Sequence, residues 1–155
     1  MIPIRSSRRT RSDQGAALVE FALVLPFLLL LLMGIVEFAW LFAQNLDVRH
    51  GAREGARLIA VNFNPNTNTG NAQTADIVAE VQARMDSAAG PTVSLEACGS
   101  GTVGDGAKAE VSATATTLTG LLDWAIPSPL ILRSGVEIRI EQPATWADNV
   151  GSPTC

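Results

Sequence analysis

The sequence predicts an α+β fold: a long N-terminal transmembrane helix that continues as an amphipathic helix, a second short helix, and a small antiparallel sheet of about three strands. Three observations predict this fold. Only two acids interrupt an apolar run over residues 16–43, helical spacing continues beyond that run, and the hydrophobic period changes from about 3.6 to 2 in the second half of the chain. Helices followed by strands are typical of the α+β class.

The first fifteen residues are basic. Arg5, Arg8, Arg9 and Arg11 against Asp13 give a charge of +3, so the other 140 residues carry −7 to reach the total of −4. Arginines just before an apolar run stay in the cytoplasm by the positive-inside rule. We therefore expect a cytoplasmic N-terminus and an exported C-terminal part, and we expect no nucleic acid as a partner.

The apolar run is long enough to span a bilayer. As a helix, residues 16–43 extend about 42 Å, whereas the charge-free residues 21–36 extend only about 24 Å against a hydrocarbon core of about 30 Å. A cleavable secretory signal is disfavoured because the run is too long, contains an acid and is followed by no small-x-small site. Polar residues after Arg9 disfavour a twin-arginine signal, and an uncleaved signal anchor stays open as an alternative.

The spacing predicts one helix from about Gly15 to about Val61, apolar first and amphipathic afterwards. Pro26 is expected to kink it, because proline removes a backbone donor. Glu54 can reach side chains on neighbouring turns of the amphipathic part. Residues 62–71, rich in Asn, Thr, Pro and Gly, then predict a loop.

Thr74 is predicted to cap the second helix, and Gly90-Pro91 to end it. Alternation of apolar or small residues with polar ones then predicts half-buried strands. The strands are predicted in residues 92–98, 107–116 and 135–142, with a Gly-rich hairpin loop over 99–106 and a proline-containing connection over 121–130.

The sequence contains few residues that are suited to catalysis. His50 is the only histidine, and Cys98 and Cys155 are too far apart in sequence to suggest a zinc site, so we expect no enzyme, no metal and no cofactor. If the exported part lies in an oxidising space, the two cysteines are expected to form a disulfide; two free thiols are the alternative. Acid pairs on the second helix and last strand are interpreted as solvated faces.

Glu20 stands out, because a carboxylate within an apolar helix is costly and usually has a partner or a function. A cut after Gly15 would create a new α-amino group on Ala16, one turn before Glu20, and the amine of a neighbouring subunit would be its natural partner. Glu37 is expected to mark the outer membrane edge, with Trp40 as an interfacial anchor.

Two further pairs lie in the amphipathic part of the helix. Gly51 and Gly55 have small-xxx-small spacing, which we interpret as close packing against the sheet rather than as a helix-pairing motif. Arg53 and Arg57 share a face of the helix. We expect them either to bind lipid phosphates or, as the simpler interpretation, to form ion pairs with acidic residues of the same domain.

These residues resemble the processing site of type IV prepilins, especially the Flp and TadE-like class of tight-adherence (Tad) secretion systems. The resemblance rests on the basic leader, Gly15, Glu20 at the fifth position after it, and Phe21, in "GAALVEFALVLPFLLLLLMGIVEFAW", followed by "HGAREGARLIAV". It covers roughly residues 14–61. Phe21 stands where Flp pilins more often have tyrosine.

The resemblance implies a minor pilin or pseudopilin that serves a Tad pilus in surface adhesion and biofilm formation. A prepilin peptidase would cut between Gly15 and Ala16, and Glu20 would guide assembly with other pilin subunits and the inner-membrane platform. Residues 1–15 would be the leader, 16–43 the single pass through the inner membrane, and 44–155 the periplasmic or extracellular domain. The alternative is a membrane-anchored binding module that enters no pilus.

Overall fold

The computed structural model describes residues 11–67, 70–120, 123–124, 129–146 and 150–152. Along the chain they form two helices and then four strands: α1 (Arg11–Ala60), α2 (Asn71–Ala83), β1 (Ala89–Cys98), β2 (Gly106–Thr114), β3 (Ile131–Arg139) and β4 (Val150–Ser152). The predicted α+β class is therefore confirmed. The chain divides into two compact units, Met1–Phe38 and Ala39–Cys155.

Helix α1 is continuous over Arg11–Ala60 and includes Pro26. Its C-terminus is closed by Asn62, which adopts a left-handed conformation with φ of 51°. The Asn62 N–H donates to the carbonyl of Ile59 at 3.2 Å, and the Phe63 N–H donates to the carbonyl of Leu58 at 2.9 Å. This pair of bonds is the Schellman arrangement, and it satisfies carbonyls that the helix end would leave without partners.

Helix α2 begins earlier than its sequence predicts. Gly70, with φ of 63°, occupies the N-cap position, and Thr74 lies inside the first turn. The Thr74 hydroxyl does not cap the helix; it donates to the carbonyl of Trp146 and lies 3.4 Å from the carbonyl of Gly70. The predicted cap was wrong because a distant segment of the chain supplies the acceptor for this hydroxyl.

The four strands form one sheet in the order β3-β2-β1-β4. Strands β1 and β2 pair antiparallel, as do β2 and β3, which confirms the three predicted strands. Strand β4 was not predicted; it is three residues long and pairs parallel with β1.

Gly90-Pro91 does not end α2, as predicted, but lies within β1. Helix α2 stops at Ala83, six residues before the strand begins. The register between β1 and β2 shifts between Ala89 and Thr92. A proline has no N–H for the strand ladder, so the shift falls where regular pairing is impossible.

The core of the second unit lies between the helices and one face of the sheet. Small residues bring these layers close: a Cβ placed on Gly55 would lie 3.2 Å from the Cβ of Ala109 and 3.5 Å from Cγ2 of Val81, and one placed on Gly51 would lie 2.7 Å from the sulfur of Met85. Strand β2 contributes alanines to the same face. The interpretation of close packing against the sheet is therefore supported for Gly55, whereas Gly51 packs against Met85, which follows α2.

The chain returns to the end of α1 after β3. Trp146 is completely buried, and its indole N–H donates to the carbonyl of Ile59 at 3.0 Å. The backbone N–H groups of residues 141 and 142 donate to the carbonyl of Ala60 at 2.9 and 3.2 Å. Buried Gln73 completes this contact, since its amide donates to Oδ1 of Asn62 at 3.0 Å and accepts from the Thr145 hydroxyl at 2.6 Å. The C-terminal segment thus fastens the end of α1 to the start of α2.

The β1–β2 loop is organised by Asp105, within the Gly-rich segment predicted as a hairpin. Oδ2 of this carboxylate accepts hydrogen bonds from the backbone N–H and hydroxyl groups of Ser100 and Thr102, at 3.0 to 3.1 Å. These bonds, the largest contribution being the backbone N–H of Thr102, lower the pKa of Asp105 below its ordinary value of 3.8. The loop is therefore held by a charged group rather than by apolar contact.

Candidate processing and membrane-anchoring site

Most of the apolar side chains that the structure describes in the first unit are exposed. From Leu18 to Val36 the large hydrophobic residues of α1, except half-buried Leu25, have exposed fractions between 37 % (Met33) and 75 % (Phe27). A soluble monomer rarely exposes a contiguous apolar surface of this size. Among the described residues one helix, Gly15–Ala60, is long and apolar enough to cross a membrane; the mean hydropathy over an apolar stretch of 18 residues within it is 2.6, and none of that stretch is buried. By length and composition, α1 is thus suited to single-pass anchoring.

The four predicted processing residues lie on this exposed part of α1. Gly15, Ala16, Glu20 and Phe21 are all exposed, and a Cβ added to Gly15 would meet no atom within 4 Å. Ala16 and Glu20 are four residues apart, so helix geometry alone places them on one side. The structure brings these residues together only through the periodicity of α1, and their roles in cleavage and assembly stay predictions.

Glu37 differs from Glu20. Its side chain is only 1 % exposed, although Phe38 beside it is 69 % exposed. Of the two acids that interrupt the apolar run, Glu37 is therefore shielded by protein and Glu20 is open to the surroundings of the helix. Trp40 is half-buried, and its indole nitrogen has no hydrogen-bond partner within the described part of the chain.

Arg53 and Arg57 of α1 differ in their ion pairing with the described residues. Arg57 binds Glu54 at 3.0 Å, and Arg84 also pairs with Glu54 while binding Glu80 at 2.6 Å. Arg84 therefore links α1 to α2. Glu54 also reaches Arg57 on a neighbouring turn of α1, as expected. Arg53 is exposed and has no ion pair with any described residue, so pairing within the domain holds for Arg57 and not for Arg53.

Two polar residues of α1 that the sequence did not single out position the rest of the second unit. Buried Gln44 binds the backbone of Thr116 in both directions: its amide nitrogen donates at 2.7 Å, and its oxygen accepts from the Thr116 N–H at 2.9 Å. Oδ2 of Asp47 accepts from the Ser87 N–H at 2.9 Å, the Ser87 hydroxyl at 3.0 Å and the Ala88 N–H at 3.2 Å. The only sequence signal for them is a polar residue on the otherwise apolar side of a helix.

Cys98 is the last residue of β1 and does not carry a free thiol. Cys155 lies outside the described residues, so its pairing with Cys98 stays a prediction. Across the described ranges, no group of three or more His, Cys, Asp and Glu side chains is arranged to hold a metal ion.

Comparison with protein-family models gives a match to the N-terminal part of the chain. Residues 15–57 match the family model described as TadE-like protein. The match covers the exposed apolar part of α1 and most of its amphipathic continuation, and it confirms the resemblance identified in the sequence over this segment. That family is a structural, non-enzymatic one. Searches of curated proteins and of solved structures give no significant match.

Proposed function

We propose that this protein is a minor pilin, or pseudopilin, that takes part in the assembly of a Tad (Flp, type IVb) pilus for surface adhesion and biofilm formation. One observation carries the proposal: the segment that matches the TadE-like family, residues 15–57, begins as an exposed apolar helix with a single unshielded acid near its start. The partners are the lipid bilayer, a prepilin peptidase, other pilin and pseudopilin subunits, and the inner-membrane assembly platform.

Processing occurs between Gly15 and Ala16. The exposure of both residues and the open space around Gly15 support access by a membrane-embedded peptidase. Glycine is also among the weakest helix formers, so local unwinding at this position costs little compared with the alanines and leucines that follow. Removal of residues 1–15 would take away four arginines and leave a new α-amino group on Ala16.

Glu20 guides assembly by pairing with the Ala16 amine of a neighbouring subunit. A bare carboxylate in a bilayer is costly, and a cation at the same depth offsets that cost. The contrast with Glu37 supports this role, because Glu37 is shielded within its own chain and Glu20 is not. The pair would fix the axial register of one subunit against the next.

The remaining assignments follow from the same topology. Residues 16–43 cross the inner membrane once with the N-terminus in the cytoplasm, and residues 44–155 form the exported domain. The basic leader and the acidic remainder of the chain support this orientation. In the oxidising space outside the cytoplasm, Cys98 and Cys155 form a disulfide that fastens the C-terminal tail to the end of β1.

The first test is the mass of the mature protein. The full chain is expressed with and without a prepilin peptidase in the same host, and intact mass and N-terminal sequence are measured. We expect a mature N-terminus at Ala16 only when the peptidase is present. An intact N-terminus in both hosts would favour the alternative, a membrane-anchored binding module outside any pilus.

The second test separates assembly from processing. Glu20→Gln is expected to leave membrane insertion and cleavage intact and to reduce incorporation into sheared fibres, because the uncharged side chain no longer pairs with an amine. Glu137→Gln removes the same charge from an exposed position on β3 and serves as the matched control. Normal fibres with Glu20→Gln would contradict the assigned role.

A further inference from the structure

The part of α1 within the second unit has two different sides. One side is buried in the core, including Val48, Ala52 and Ala56. The other is exposed and changes character along its length. It begins with apolar side chains and continues with basic ones, in the order Phe42, Leu46, Arg49, Arg53. Steps of four, three and four residues keep these four side chains on one face of a helix. We call them the α1 stripe.

The two arginines of the α1 stripe have no acidic partner among the residues that the structure describes. Neither Arg49 nor Arg53 forms an ion pair with any described residue, although both are exposed. The acids on the same part of α1 are engaged elsewhere: Glu54 with Arg57 and Arg84, and Asp47 with the turn after α2. Like charges four residues apart on a helix repel each other. An external anion would therefore remove an unfavourable interaction as well as form a favourable one.

The apolar residues of the α1 stripe identify the kind of anion. Phe42 is 54 % exposed and Leu46 is 48 % exposed, and they lie on the same continuous helix as the apolar run that is suited to cross a membrane. Leu46 and Arg53 are about 10 Å apart along the helix axis. Headgroups occupy about 5 to 8 Å beyond each side of the hydrocarbon core, and long arginine side chains reach back toward that layer. A phosphate ion in solution would leave the apolar half of the stripe uncovered.

We propose that the α1 stripe docks on anionic lipid headgroups: Phe42 and Leu46 enter the acyl boundary, and the guanidinium groups of Arg49 and Arg53 bind the lipid phosphates. The planar guanidinium fork matches a phosphate with two parallel hydrogen bonds. The inference rests on the membrane anchoring within the proposed function. It assigns the lipid contact to Arg49 and Arg53, whereas the sequence suggested Arg53 and Arg57, because Glu54 already binds Arg57.

Docking of this kind would hold the second unit against the bilayer before assembly. Each arginine near an anionic membrane surface contributes about a five-fold preference for anionic lipid, and salt screens that preference. Extraction of the subunit into a fibre would break these contacts. Anionic lipid would therefore retain the subunit in the membrane, and its release would become easier at higher ionic strength.

The test uses the full chain in bilayers that contain phosphatidylcholine and phosphatidylglycerol. The relative association of spin-labelled phosphatidylglycerol and phosphatidylcholine with the protein is measured by electron paramagnetic resonance. We expect Arg49→Gln with Arg53→Gln to lower the preference for phosphatidylglycerol, by about five-fold for each arginine at the site. Arg133→Gln with Arg139→Gln removes the same charge from exposed positions on β3 and is expected to leave the preference unchanged. Far-UV circular dichroism checks that both variants fold.

Two outcomes would overturn the inference. One is the same lipid preference in the Arg49/Arg53 double variant as in the unaltered chain. The other is crosslinking to a second protein chain and to no lipid, from a photoreactive residue that replaces exposed His50 next to the α1 stripe. The leader arginines are present in every variant, so their own attraction to lipid cancels in the comparison. The two proposals can fail separately. If the chain keeps its leader in the presence of the peptidase, while the double variant loses its lipid preference, the pilin proposal is contradicted and the docking inference holds.

Discussion

The two units use one helix in opposite ways. In residues 18–36, α1 exposes leucine, valine, isoleucine and phenylalanine around its circumference. In residues 48–60, its buried positions are mainly small, and Gly55 lies so close to the sheet that an added Cβ would be 3.2 Å from Ala109. The first part has a high apolar content and little burial, and the second has packing built from small side chains. Hydrophobicity alone therefore does not tell which part of a helix belongs to a protein core.

The difference has an energetic consequence. Buried apolar surface contributes about 25 cal/mol per Å² to folding, and the first unit buries little of its own. Its apolar surface is stabilised by the lipid environment that the proposed function supplies, whereas the second unit depends on protein contacts. Changes in the two parts should therefore differ in their effect on the free energy of unfolding, even when the substitutions are matched.

The largest difference is expected between Trp146 and Phe27. Trp146→Ala removes a completely buried ring and its hydrogen bond to Ile59, and should lower the free energy of unfolding of the second unit by about 3 to 5 kcal/mol. Phe27→Ala, at a position that is 75 % exposed, should change it by less than about 0.5 kcal/mol. Denaturant unfolding of the full chain in detergent measures both changes in the free energy of unfolding. Circular dichroism follows both variants, and tryptophan fluorescence also follows Phe27→Ala. Equal losses would contradict the division of α1.

A smaller difference is expected between two glycines of α1. Gly55→Leu inserts a side chain where even a Cβ is tight, and should cost about 2 to 3 kcal/mol by overpacking. Gly34→Leu places the same side chain where a Cβ meets no atom within 4 Å. It should be neutral or slightly stabilising, because leucine is the better helix former. The same unfolding measurement applies, and a large loss at Gly34 would show that this position has a protein neighbour.

Asp47 gives a third comparison within the second unit. Asp47→Ala removes three hydrogen bonds to Ser87 and Ala88 and should destabilise the turn after α2 by about 1 to 2 kcal/mol. Asp86→Ala removes a neighbouring exposed carboxylate and should have no measurable effect. Amide hydrogen exchange at residues 87 and 88 localises the change. Unaltered protection in Asp47→Ala would show that the turn does not depend on this carboxylate.

The smallest effect is expected at Asp105 and depends on pH. Hydrogen bonds from Thr102 and Ser100 hold the pKa of this carboxyl below its ordinary value of 3.8. Because the folded pKa is the lower one, the contribution of these bonds is present above the unfolded pKa and is lost as pH falls through the folded pKa. In the unaltered chain, hydrogen-exchange protection of the Ser100 and Thr102 amides should fall in that acidic range. In Asp105→Asn, the protection of these amides should not depend on pH there. Protection that does not change with pH in the unaltered chain would contradict this account.

The sequence predicted the elements whose signals are local. The alternation in residues 92–98 and 107–116 predicted two neighbouring strands, and the structure places them at 89–98 and 106–114. Periodicity also predicted the end of α1 to within one residue, Val61 against Ala60. These predictions succeeded because side-chain alternation and helix spacing follow directly from backbone geometry.

Predictions that depended on distant partners failed. Thr74 has the chemistry of a helix cap, but its hydroxyl binds Trp146, more than seventy residues away in sequence. Gly90-Pro91 has the chemistry of a helix stop, yet α2 ends before it and β1 contains it. Cap and stop residues act by satisfying backbone polar groups. When another part of the chain satisfies those groups instead, the local motif no longer determines the structure.

The amino-acid order by itself determined that one helix is apolar enough to cross a membrane and that Glu20 interrupts it, since composition and spacing are properties of the chain. Only the tertiary structure decided that Glu37 is shielded, that Arg57 is paired, and that Arg49 and Arg53 form no ion pair with the described part of the chain. The physical reason is that burial and ion pairing depend on which distant groups fold against a helix, and helical periodicity specifies a face without specifying what covers it.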